Sequence, residues 1–141
     1  FAQVAVTKVG AQTVFHGLPI RPGKPMLGAV TPSGQAILGL PGNPVSVLVT
    51  ARRFALMVLR RLAGFAAPDL PSASVFINQS NLSHAQLWLY RPVRLTGAGH
   101  ATVVPTRGSG DGVSAAQSDG FIEIAPDSAS QDQRTFFPWR L

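Results

Sequence analysis

The sequence predicts an α/β segment followed by a small all-β barrel, and three observations carry that prediction. An apolar run, Ala36, Ile37 and Leu38, enters a Gly/Pro turn at residues 39–46, and a long apolar segment leaves it. That order is strand, tight turn and helix start. A proline-rich stretch at residues 66–71 then changes the character of the chain and marks a domain boundary. Beyond it there is no helical period of any length. Short apolar runs alternate with glycine turns instead, the pattern of a small barrel or folded sheet.

Taken in order, Val4, Val6 and Val9 precede Gly10, which fits either a helix tail or a short strand. Residues 14–20 read as extended, with β-branched and aromatic side chains. They run into Arg21, Pro22, Gly23, Lys24 and Pro25, where two prolines forbid helix and hold two cations on a stiff loop. Residues 25–30 and 35–40 flank a turn at Thr31, Pro32, Ser33 and Gly34, predicting a hairpin or two neighbouring strands. In the next turn Asn43 is placed to cap the helix with its side chain. Pro44 falls at the first helical position, where its missing N–H costs nothing, and Gly42 permits positive φ or close approach of a ligand. The helix is predicted over residues 45–62. Leu48, Ala51, Ala55, Leu59 and Leu62 form its apolar face, and Val49, Leu56 and Val58 widen it toward a sandwiched helix. Arg60 and Arg61 sit at its negative end, and Gly64 stops it. Strands are predicted at 73–77, 86–95, 102–105 and 121–124, with a weak last one near 135–139. Turns at 97–99, 108–112 and 127–130 separate them.

A 45% hydrophobic content supports a real core, and zero cysteines exclude disulfides and thiolate metal sites. Net charge is +6, and ten of the twelve basic residues are arginine, which favours an anionic ligand. Nucleic acid is the other reading of such a charge, but the arginines are scattered and lack interleaved aromatics, so no nucleic-acid partner is expected. No segment reaches the roughly 18 apolar residues of a membrane span, and no membrane partner is expected. The chain begins at Phe1 without an initiating methionine and reads as a piece of something longer.

No familiar hydrolase, phosphate-loop or zinc-protease motif is present. His16, His84 and His100 lie far apart in unlike contexts, and the acids of residues 111–132 form no visible catalytic pair, so no catalytic residue and no metal ligand set is assigned. What remains is a group of oxyanion-binding features. They are the Arg21/Lys24 loop, the helix start from Asn43 to Ser46, Arg91, and the Arg107, Gly108, Ser109, Gly110 turn. Backbone N–H groups of such a helix start or glycine turn suit an anion. Each feature has a plainer reading as capped turn, hairpin or solvated charge. Together they argue for a ligand with several negative charges.

The order of these motifs resembles molybdopterin molybdenumtransferase and the matching domains of gephyrin-like proteins. The resemblance rests on residues 14–25 (VFHGLPIRPGKP), residues 39–46 (GLPGNPVS) and an apolar helix ending in Gly64. It continues through Leu89, Tyr90 and Arg91, then Gly108, Ser109 and Gly110, to residues 118–122. It implies that residues 1–67 are the second half of a three-layer α/β molybdopterin-binding domain, and that residues 68–141 are the C-terminal β-barrel domain. Family members insert molybdate into adenylylated molybdopterin and release AMP in a Mg2+-dependent reaction, working as cytoplasmic homodimers. The implied partners are the small-molecule substrates, a second copy and molybdopterin adenylyltransferase. Carried over by position, Arg21, Pro22, Lys24, Ser46, Arg91 and Ser109 line the molybdate and neighbouring anion site, while Gly42, Asn43 and Pro44 shape the turn. The Mg2+ ligands are expected mostly outside this chain.

Two departures stand against the resemblance. A lysine that some relatives carry four residues before the first loop cation is Gly17 here. The glycine-rich, acid-bearing first half of the pterin domain is not in the sequence, so a parallel sheet would lack its early strands. The chain alone is therefore expected to be inactive. A non-catalytic molybdopterin- or anion-binding module on the same scaffold is the alternative reading.

Overall fold

The computed structural model describes residues 2–67, 72–78, 82, 86–128 and 132–140. Most of the predicted boundary stretch (68–71), the turn residues 129 and 130, and His84 lie outside the described residues.

The opening valines form helix α1 (Ala2–Lys8), which Gly10 ends with a left-handed φ of +70°. Strands β1 (Gln12–His16), β3 (Leu27–Val30) and β4 (Ala36–Gly39) make a three-stranded sheet in the order β1-β3-β4. Both pairings are antiparallel, where the family resemblance implied a parallel sheet. The tight turn between β3 and β4 dictates this, because so short a link reverses the chain. In that turn Thr31 Oγ1 accepts from the Gln35 N–H at 3.0 Å, and Gly34 takes φ +83°. Val6 of α1 packs with Leu27 and Ala29 to close a small core on this sheet.

The two-residue strand β2 (Ile20–Arg21) leaves this sheet and pairs in parallel with a barrel strand. The barrel comprises β5 (Ala73–Ile77), β6 (Trp88–Gly97), β7 (His100–Val103), β8 (Gly120–Ile124) and β9 (Gln133–Pro138). Neighbours run β6-β7-β5-β9-β8, and a further β6–β8 pairing closes the ring. Closure leaves no unpaired edge within the ring. Val75, Ile77, Leu89, Val93, Ala101, Ile122, Ile124 and Phe136 fill the interior. The fold is thus an α/β unit followed by a closed five-stranded β-barrel.

Helix α2 (Pro44–Thr50) continues through a π-helical segment (Ala51–Ala55) into α3 (Leu56–Leu62). This helix covers one outer wall of the barrel. Val45 and Val49 join Ile20, Tyr90, Ala115, Phe121 and Phe137 in a second core, with Phe54 and Leu56 packed against it. Tyr90 and Leu89 are therefore both buried, one facing the helix and the other the barrel interior. The predicted apolar face is not the buried one: Leu48, Leu59 and Leu62 are 44%, 60% and 69% exposed. The buried stripe instead runs through Val45, Val49 and Arg52 at spacings of four and three, and the widened turns of the π segment shift the phase only beyond it. Arg52 Nε donates to the Pro138 carbonyl at 2.8 Å, and Arg53 Nε to Glu123 Oε2 at 2.8 Å. The Arg53 guanidinium also lies 5.2 Å from the Phe137 ring centroid.

One helix went unpredicted. Helix α4 (Gly112–Ala116) is too short to display a period in sequence, but Asp111 caps it by accepting from the Ser114 N–H at 3.2 Å.

Phe121 is the hub of the second core, fully buried with ring centroids 5.7 Å from Tyr90, 5.3 Å from Phe137 and 5.1 Å from Trp139. Phe121→Ala is expected to lower stability by about 3–5 kcal/mol. Leu59→Ala, on the exposed helix face, is expected to change it by less than about 0.5 kcal/mol. Urea unfolding of the two variants checks the contrast.

Candidate functional site

Four segments distant in sequence converge where β2 meets β6. The parallel register Ile20 to Trp88 and Arg21 to Leu89 sets the loop at residues 21–25 beside Arg91. Gly23 lets this loop press onto the helix. Its φ is +117°, and a Cβ there would lie 2.6 Å from Thr50 Cγ2 and 2.8 Å from Ile20 Cδ1. The base of the loop is closed by Leu18 N–H to the Lys24 carbonyl and Gly17 N–H to the Met26 carbonyl, each at 2.9 Å. Arg91 extends from β6 at a register position opposite Ile122.

The third segment follows β7. Val104 N–H donates to the Pro92 carbonyl at 2.8 Å, starting a loop that runs to the cap of α4. Asp111 holds the loop with both carboxylate oxygens, accepting from the Arg107 N–H at 3.1 Å and the Ser114 N–H at 3.2 Å. The backbone hydrogen bond from Arg107, then that from Ser114, keep the Asp111 carboxyl below the usual carboxylate range. At its tip, Ser109 reaches the start of α2. Its carbonyl accepts from the Val45 N–H at 3.0 Å, and its Oγ accepts from Asn43 Nδ2 at 2.9 Å.

These contacts enclose an open cavity of about 720 Å³. Arg21, Lys24, Arg91 and Arg107 line it, with Pro22, Gly42, Asn43, Ser46 and Ser109, over a floor that includes Val45, Tyr90 and Pro92. No acidic side chain is among the lining residues. Burial first, and then the Glu123 charge, push the Tyr90 phenol above its ordinary pKa, so it remains neutral. With four cations and no compensating acid, the cavity has the chemistry of a polyanion site.

The structure brings together all six of the residues the sequence assigned to the anion site: Arg21, Pro22, Lys24, Ser46, Arg91 and Ser109. Arg107 and Tyr90 join them. Arg107 belongs to the glycine turn already named among the oxyanion-binding features, whereas Tyr90 stood only inside a quoted motif beside Arg91. Two details of the turn differ from expectation. Asn43 occupies the N-cap position, yet its side chain makes no capping bond and spans to Ser109 instead. Two of the first-turn N–H groups are already taken, Val45 by Ser109 and Val47 by the Asn43 carbonyl, so among the described residues only Ser46 N–H is left for a ligand. Gly42 takes the second of its two options: it has no positive φ, and with nothing within 4 Å of a Cβ there it leaves room for close approach of a ligand. Pro44 begins the helix as predicted. Gly17 takes φ +83°, a conformation a lysine would adopt only with strain, and it lies outside the cavity lining. His16 is exposed on β1, and His100 stands 5.5 Å from the Phe76 ring. Among the described residues no three potential metal ligands cluster, and no helix is long and apolar enough to cross a membrane.

No family model matches the chain. A molybdopterin molybdenumtransferase of Synechocystis sp. is 31% identical over 139 residues, covering 94% of this chain and 32% of that protein. Another, of Synechococcus elongatus, is 51% identical over 55 residues, covering 38% of this chain and 14% of that protein. Over the stretch it spans, the chain is a homologue of proteins named molybdopterin molybdenumtransferase. It spans about a third or less of the length of these curated relatives. The fold agrees with molybdopterin molybdenumtransferase homology. A molybdopterin biosynthesis MoeA protein from Pyrococcus horikoshii superposes with a TM-score of 0.78 at 23% identity, covering 99% of this chain and 34% of that one. A molybdenum cofactor biosynthesis protein from Pyrococcus furiosus gives a TM-score of 0.73 at 22% identity, covering 91% of this chain and 46% of that one.

The fit of the 21–25 loop against the helix gives a direct check. Gly23→Ala is expected to destabilise the chain by about 1–3 kcal/mol, from strain at positive φ and overpacking against Thr50 and Ile20. A lower urea midpoint with an unchanged m-value is the expected result.

Proposed function

We propose that this chain supplies the oxyanion-binding wall of a molybdenum-inserting transferase, which converts adenylylated molybdopterin and molybdate to molybdenum cofactor and AMP. The observation that carries the reading is the acid-free cavity itself, where four cations and two serines from separate segments meet. Molybdate is a tetrahedral dianion. Arg21 and Arg91 present planar guanidinium forks suited to pairs of its oxygens, and the Ser46 and Ser109 hydroxyls are neutral donors of the right length. Lys24 and Arg107 add charge for the phosphates of the nucleotide-bearing pterin. The chain's part in the reaction is then positioning and charge neutralisation: it fixes the molybdate and orients the phosphate end of the second substrate beside it.

The lining donor set does not fit Mg2+. A hard divalent cation takes carboxylate, carbonyl and water oxygens, and the four cationic side chains here would repel it. The Mg2+ ligands in this reading belong to other parts of the whole enzyme. In this reading residues 1–67 are part of the pterin-binding domain and residues 68–141 are the barrel domain of a cytoplasmic homodimer that receives its substrate from molybdopterin adenylyltransferase. The chain on its own binds but does not catalyse. The acid-free lining also favours the second reading, a non-catalytic anion-binding module, because no lining carboxylate can act as a general acid or base. The sequence upstream of Phe1 separates the two: a glycine-rich, acid-bearing half-domain supports the enzyme, and an unrelated domain supports the module.

Calorimetric titration of the chain with molybdate tests the shared core of both. Arg91→Ala is expected to weaken binding by about 10- to 100-fold, and Ser109→Ala by a smaller factor of about ten. If both variants bound molybdate like the parent chain, the site assignment would be wrong.

A further inference from the structure

We infer that Asn43 is a positioning residue that aims the Ser109 hydroxyl proton into the cavity; this rests on the oxyanion reading above. A serine hydroxyl has one proton to give and lone pairs to receive with. Here Asn43 Nδ2 donates to Ser109 Oγ at 2.9 Å, so the amide takes up a lone pair and leaves the proton unspent. Among the described residues, no acceptor takes that proton. The residue is also fixed through its backbone, because the Ser109 carbonyl accepts from Val45 N–H at 3.0 Å. Ser109 is thus held at two points by one turn of chain, and its hydroxyl cannot turn away without losing the amide.

The loop that bears it is constrained from the other side as well. Asp111 accepts from the Arg107 N–H, and the Asp111 N–H donates to the Gly108 carbonyl at 3.2 Å. Both Asn43 and Ser109 line the cavity, so with a lone pair taken by the amide the hydroxyl proton is available to an acceptor there. An oxyanion is the acceptor such a donor fits. This arrangement accounts for an amide at this position in place of a carboxylate. Aspartate is an equally good N-cap residue, but it would accept from Ser109, reverse the hydroxyl and place a negative charge in a cavity that has none. Asn43 therefore acts through Ser109 and need not touch the ligand.

The test is a double-mutant cycle on molybdate affinity, measured by calorimetry for the parent chain, N43A, S109A and N43A/S109A, with melting temperatures recorded alongside. Ser109→Ala serves as the reference, with about a tenfold loss, and Asn43→Ala is expected to lose about three- to tenfold. In the S109A background Asn43→Ala is expected to lose less than about twofold, because the group it positions is gone. A purely structural turn residue would lose affinity equally in both backgrounds, and that result overturns the inference. Asn43→Asp covers the case in which the alanine variant does not fold, since it keeps a side chain of the same size at the N-cap position. It is expected to weaken binding more in the parent background than in S109A, and equal losses in the two overturn the inference. Failure of the parent chain to bind molybdate overturns the oxyanion reading itself. Parent binding that S109A leaves unchanged overturns the ligand contact of Ser109 and with it the role given to Asn43, and parent binding that N43A leaves unchanged overturns the Asn43 role alone.

Discussion

The two-residue parallel pairing of Ile20–Arg21 with Trp88 and Leu89 is the contact on which the rest of the site depends. Without it, the 21–25 loop would belong to the three-stranded sheet alone, and Arg21 and Lys24 would have no fixed relation to Arg91. With it, a strand from the α/β unit becomes an extra member of the barrel sheet, and cations from both units face the same cavity. So short a ladder holds because Ile20 is buried in the core formed by Val45, Val49, Tyr90 and Phe121. The polar pairing is anchored by apolar packing directly beneath it.

The helix after the turn locks that geometry. Its paired arginines interrupt an apolar run in sequence, and in space they tie the helix to the barrel at the Pro138 carbonyl and at Glu123. An ion pair with the partly buried Glu123 is worth more than a surface pair, because the water that would screen it is partly excluded. The same carboxylate helps keep Tyr90 neutral at the cavity floor. Like charges gathered around the cavity repel one another, so the empty site is electrostatically unfavourable and an anion relieves it.

Much of this was legible in the residues, and the failures have physical causes. The strand-turn-helix at residues 39–46, the hairpin about Thr31–Gly34 and the barrel strands are written in local patterns, so periodicity and turn chemistry find them. The buried face of the helix was not legible, because its stripe of Val45, Val49 and Arg52 includes an arginine that an apolar period passes over, and a π-helical segment shifts the phase beyond it. Helix α4 is five residues long and carries only its cap as a signal. The hydrogen bond from Asn43 to Ser109 spans 66 positions, so a reading of Asn43 as a local cap had no way to see it. The site residues were gathered by motif, whereas their convergence on one cavity follows only from the β2–β6 pairing.

In the proposed reading this cavity receives a tetrahedral oxyanion. The most direct measurement is an anomalous-difference map from crystals of the chain grown with molybdate, recorded near the molybdenum absorption edge. A single strong molybdenum peak is expected inside the cavity, within hydrogen-bonding reach of the Arg91 guanidinium and the Ser109 hydroxyl. A cavity without a peak in crystals whose solvent contains saturating molybdate, or a peak seated only elsewhere on the chain, would contradict it.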